Sequence, residues 1–82
     1  PLVARALKYD EALYVYVINP SQKAAELTLP LQGEITSVRD LGAGTSLSPG
    51  KELNVRMEPM SFKAYRIDGR KLAVELDREE EP

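Results

Sequence analysis

The chain has no histidine, no cysteine and no tryptophan among its 82 residues. Without cysteine it can form neither disulfides nor thiolate metal sites, and without histidine it lacks the commonest metal ligand and general base. No cofactor and no metal is therefore expected. Long apolar runs are missing too. A stretch such as Ala12 to Ile18 falls far short of the roughly 20 residues a membrane helix needs, so no membrane partner is expected. Clustered positive charge is likewise scarce. The basic residues are scattered singly, with only Arg70 and Lys71 adjacent, which is no footprint for a nucleic acid.

What is present belongs to an ordinary globular domain, 43% hydrophobic and 29% charged, long enough for one core. Its formal charge of −2 is uneven. After Val74 come five acids against Arg78, a net of −4, so the body before them is about +2. The expected organisation is a single domain over residues 1–76 with an acidic disordered tail over 77–82. A start at Pro1 that leads almost at once into an apolar segment is what a domain excised from a longer chain would show.

The dominant period along the chain is two. Leu13, Val15 and Val17 alternate with Tyr14, Tyr16 and Ile18, a β-branched and aromatic strand buried on one face and largely covered on the other. Upstream, Val3 to Tyr9 reads as a strand that turns at Asp10-Glu11. Downstream, Asn19-Pro20-Ser21 is a turn, since proline cannot donate to a ladder and asparagine favours turns. Ala25, Leu27 and Leu29 form a half-buried strand ended by Pro30, expected to pair as a hairpin with the 13–18 strand. Further strands are expected over 35–41, 53–57 and 61–67. In the last of these a bulge between Ala64 and Tyr65 would reconcile a broken alternation. Asp68-Gly69 is a hairpin signal, followed by Leu72, Val74 and Leu76 in period two. A helix is the alternative for that segment. About seven short strands spaced by turns every 8 to 12 residues predict an all-β fold, a small antiparallel β-sandwich of Greek-key type.

Few constellations carry chemistry. Paired carboxylates are the only catalytic arrangement open to this composition, because glycoside cleavage needs an acid and a base or nucleophile about 5 to 10 Å apart. The candidates Asp10, Glu11, Glu34, Asp40 and Asp68 sit in turns or at strand ends, where acids ordinarily make local hydrogen bonds. Gly42-Ala43-Gly44-Thr45-Ser46 lacks the lysine and helix of a phosphate loop and reads as a connection. Tyr14 and Tyr16 share one face of a strand. Such a pair packs against neighbours or a partner domain more often than it stacks on a sugar.

Three stretches carry a family resemblance: Leu13-Tyr14-Val15-Tyr16-Val17-Ile18-Asn19-Pro20-Ser21; Val38-Arg39-Asp40-Leu41 before a glycine loop; and the segment from Leu53-Asn54-Val55-Arg56-Met57-Glu58-Pro59 through Ser61-Phe62 to Tyr65-Arg66-Ile67. Over residues 3–68 the chain resembles the C-terminal β-sandwich of bacterial glycoside hydrolases with a TIM-barrel catalytic domain. The resemblance implies a non-catalytic accessory domain whose partner is the catalytic domain of its parent chain. The catalytic carboxylates of such enzymes lie in the barrel, so none is assigned here. Tyr14, Tyr16 and Tyr65 are the expected docking residues. The alternatives are a carbohydrate-binding module with a polysaccharide partner and an immunoglobulin-like adhesion or assembly domain.

Overall fold

The computed structural model describes residues 2–76; the tail expected over 77–82 lies outside the described residues. Six strands follow one another, with no helix among the described residues: β1 (Val3–Tyr9), β2 (Ala12–Asn19), β3 (Ala25–Asp40), β4 (Thr45–Leu47), β5 (Glu52–Met57) and β6 (Ser61–Val74). Every pairing is antiparallel, in the order β1-β2-β6-β3-β4, and β5 joins the first half of β3. The fold is all-β, as the period-two patterning predicts.

The strands are fewer than seven because two pairs of expected segments are fused. Residues 25–29 and 35–41 run together as the 16-residue β3. Pro30 does not end it. The Pro30 carbonyl accepts from the Glu75 N–H, so the nitrogen of the same residue also points away from β5, and its missing N–H costs that ladder nothing. Residues 61–67 and 70–74 likewise form the single 14-residue β6, which excludes a helix over 70–74. Asp68-Gly69 is not a hairpin turn. Gly69, at φ +153°, is where β6 presses against the backbone of Glu34 in β3, and Gly33 (φ +108°) meets the backbone of Arg70 and Lys71 in the same way. The pairing of β3 with β6 slips twice here, between Gln32 and Glu34 and between Ile35 and Ser37. The irregularity thus lies at the β3–β6 crossing. The bulge expected between Ala64 and Tyr65 is absent, since β6 pairs with β2 in unbroken register from Ser61 to Asp68.

The expected hairpin between residues 13–18 and 25–29 does not form either. β2 lies between β1 and β6, and the 25–30 half of β3 pairs with β5 instead. The turn at residues 19–23 explains this departure. Asn19 is 1% exposed; its amide donates to the Lys23 and Glu58 carbonyls, and its Oδ1 accepts from the Ser21 N–H and hydroxyl. One buried side chain therefore closes the turn and fastens it to the far end of β5. By contrast, Asp10 and Glu11 make the tight turn expected, both at positive φ (54° and 68°), the type I′ geometry whose twist suits a two-residue hairpin.

The core lies between the β3–β5 layer and the β2–β6 layer. Leu13, Val15 and Val17 of β2 and Tyr65, Ile67 and Leu72 of β6 meet Leu29 and Leu31 of β3 and Leu53, Val55 and Met57 of β5. The β5 residues Glu52, Asn54 and Arg56 alternate with these and face water, as one-sided burial requires.

Candidate docking face

The inward side chains of β2 and β6 are accounted for by the core. Their other face is covered by nothing among the described residues. It is built from odd-numbered positions of β1 and even-numbered positions of β2 and β6, in rows set by the pairing. Val3, Ile18 and Phe62 make one row; Arg5, Tyr16 and Ala64 the next; Leu7, Tyr14, Arg66 and Arg39 the third. Phe62 is 60% exposed, Leu7 54% and Tyr9, at the end of β1, 68%. Beside Phe62 the surface dips into a depression walled by Asp40, Leu41, Ala43, Lys63 and Ala64.

Two clusters organise this face. The rings of Tyr16 and Phe62 are stacked at 6.2 Å between centroids and 23° between planes. In the neighbouring row, the Arg66 guanidinium lies 5.7 Å from the centre of the Tyr14 ring, a cation–π distance, and donates from Nη1 to the Tyr14 hydroxyl at 3.2 Å. Its Nε donates to Asp68 at 3.1 Å, and the second oxygen of that carboxylate accepts from the Ser37 hydroxyl at 3.0 Å. The hydrogen bond to Asp68, with the charge of that carboxylate, holds the Arg66 guanidinium above its ordinary value. Arg66 is thereby held between the Asp68 carboxylate and the Tyr14 ring and hydroxyl.

The composition of the face is unlike the rest of the surface. Its charged groups are Arg5, Arg39 and Arg66 against Asp68, and none of the positions in its rows is lysine or glutamate. Arginine and the aromatics are enriched at the cores of protein interfaces, whereas lysine and glutamate are depleted there.

The structure separates the three tyrosines expected to act together. Tyr14 and Tyr16 are half-buried side by side on this face. Tyr65 is 2% exposed and sits in the core on the opposite side of β6. It is a packing residue, and burial, with the Asp40 carboxylate, raises its phenol above the ordinary value. The broken alternation of residues 62–67 has a simple cause: both faces of β6 are apolar, Phe62 and Ala64 on the outside, Tyr65 and Ile67 within. That two-sidedness was the signal for Phe62. Leu7 and Arg66 gave no such signal, since their membership depends on the register of β1 and β6 against β2.

The candidate carboxylates do not gather into one site. Asp10 and Glu11 form the β1–β2 turn, Glu34 lies exposed at the β3–β6 crossing, Asp40 accepts from the Gly42 and Ala43 N–H groups, and Asp68 binds Arg66. Among the described residues no three acids are grouped so as to hold a metal ion. No family model matches the chain, and neither the curated proteins nor the solved structures provide a match.

Proposed function

We propose that this chain is a non-catalytic accessory domain that packs the outer face of β1, β2 and β6 against a larger catalytic domain and stabilises it. The observation that carries the reading is the make-up of that face: exposed Leu7 and Phe62, stacked Tyr16 and an arginine immobilised on Tyr14, with no lysine or glutamate between them. The resemblance of residues 3–68 to the C-terminal sandwich of barrel glycoside hydrolases supplies the class of partner. On that resemblance the parent is a glycosidase and its catalytic residues lie outside this domain.

The test compares one substitution in two settings. Phe62→Ala removes an exposed ring, so the isolated domain should melt within a few degrees of the wild type. Truncating an aromatic at a well-packed interface typically costs on the order of 2 kcal/mol, so the parent enzyme should lose stability clearly. Equal indifference in both settings rejects the docking reading.

A second reading rests on the Tyr16–Phe62 pair, two aromatic rings with the hydrogen-bonding Arg66 in the row next to Tyr16. This is the layout on which sugar rings stack. Titration of the isolated domain with a panel of soluble glycans separates the two readings, because a surface made for docking binds none of them.

A further inference from the structure

β1 is an edge strand, seven residues long with no proline, glycine or bulge, and it pairs only with β2. Which of its backbone groups are free follows from the hairpin. A two-residue type I′ turn closes on a hydrogen-bonded pair, here Tyr9 with Ala12, and bonded and non-bonded pairs then alternate. Leu7, Arg5 and Val3 therefore bond to β2, while the N–H and C=O groups of Ala4, Ala6 and Lys8 point outward. The side chain of Arg5 corroborates this by donating to the Ala4 carbonyl at 3.0 Å, the reach of an arginine folded over its own open edge.

The other free edges are less able to take a strand. β4 has three residues, and β5 carries Glu52 and Arg56 on its exposed face. β1 is different in being complementary to itself. Laid antiparallel to a second copy about a two-fold axis at Ala6, it sets Ala6 opposite Ala6 and Ala4 opposite Lys8. Arg5 falls beside Leu7, and Val3 beside Tyr9. All seven residues are paired and no like charges meet, whereas an axis at Arg5 or at Lys8 would oppose two cations. The outward groups of Ala4, Ala6 and Lys8 are the ones that bond in this register, two bonds at each of three pairs.

We infer that β1 is a self-association edge: two copies join β1 to β1 about Ala6 and continue one antiparallel sheet through both. Arg5 leaves the Ala4 carbonyl, which then accepts from the Lys8 N–H of the second copy. The outer faces of the two copies come to lie on the same side of the joined sheet. The inference uses backbone groups at the edge and does not depend on the docking reading.

The test is sedimentation of this chain from about 10 μM to about 1 mM, with amide exchange measured at both ends of the range. The mass should rise toward that of a dimer. The Ala4, Ala6 and Lys8 amides should slow at least about tenfold, while those of Arg5 and Leu7, already bonded to β2, stay as they were. Ala6→Pro removes an outward donor and no β1–β2 bond, as suits proline at an edge, and should weaken the dimer at least about tenfold. Phe62→Ala should leave the dimer unchanged. A monomer at every concentration overturns the inference, and so does a dimer in which the three outward amides exchange no more slowly. The exchange measurement on the wild-type chain decides the matter even if Ala6→Pro does not fold.

Discussion

The side-chain amide of Asn19 donates to the backbone carbonyl of Glu58, 39 residues further along the chain, at 3.0 Å. A turn residue at the end of β2 thus holds the end of β5, across the two layers of the sandwich. Its second donation, to Lys23, and its two acceptances from Ser21 leave the amide fully used.

Asn19→Ala should therefore be among the most damaging polar substitutions. It removes all four hydrogen bonds of a buried side chain, and although the Lys23 and Glu58 carbonyls keep the Ser21 and Ser61 hydroxyls as donors, each lost bond costs about 0.5 to 1.5 kcal/mol. In a domain of this size that lowers Tm by roughly 4 to 8 °C for each kcal/mol. Thermal unfolding followed by circular dichroism checks it. A loss under a degree would show the network to be idle.

The glycines separate collision from backbone preference. A Cβ at Gly69 or Gly33 would run into the backbone of the opposing strand, so Gly69→Ala and Gly33→Ala should each cost several kcal/mol or prevent folding. Gly44 (φ +72°) has open space around it, so Gly44→Ala bears only the left-handed penalty of about 1 to 2 kcal/mol. Gly50, with neither constraint, should accept alanine within about 0.5 kcal/mol. Urea denaturation of the four variants tests the ranking.

Met60 offers a stabilising change. It follows Pro59 in the β5–β6 turn at φ +52°, the position where a type II turn calls for glycine, and its side chain is exposed. Met60→Gly should raise stability by up to about 1 kcal/mol, the left-handed penalty less the backbone entropy that glycine loses. A lower urea midpoint would contradict it.

Tyr65 gives the fold an alkaline limit. Burial and the Asp40 carboxylate both favour the neutral phenol, so its folded pKa lies above its unfolded value near 10. The stability this contributes is fully present below the unfolded pKa and is lost as pH rises through the folded one. Unfolding free energy should thus fall above about pH 10, and absorbance titration should show Tyr65 ionising above that value. Tyr65→Phe should remove that late step, and Asp40→Asn should bring it earlier.

Strand identity was legible in the sequence wherever one face alone is apolar. Leu53, Val55 and Met57 are the clearest case, and their alternation with Asn54 and Arg56 appears unchanged in β5. The reading failed where a local signal was outweighed by distant contacts. Asp68-Gly69 has the composition of a turn, but its glycine serves the close approach of β3, which no neighbouring residue announces. Pro30 looked like a terminus because nothing local tells which edge of its strand is unpaired. Tyr65 was grouped with Tyr14 and Tyr16 by residue type, while the parity of β6 against β2 puts it on the other side. The arginines of the outer face are the deepest case, since Arg5, Arg39 and Arg66 come together from three strands only after register is fixed.

β6 pairs with β2 over Ser61–Asp68 and with β3 over Tyr65–Val74, so it is the strand through which the two larger pieces are joined. It is also the last of the described strands to be synthesised. The β1–β2 hairpin can close early on its own turn, but β2 and β3 have no shared partner until Tyr65 to Asp68 of β6 are free. Closure of the described sheet therefore waits for β6, and a nascent chain stopped short of it would hold its future core open to whatever chaperone or neighbour reaches it first.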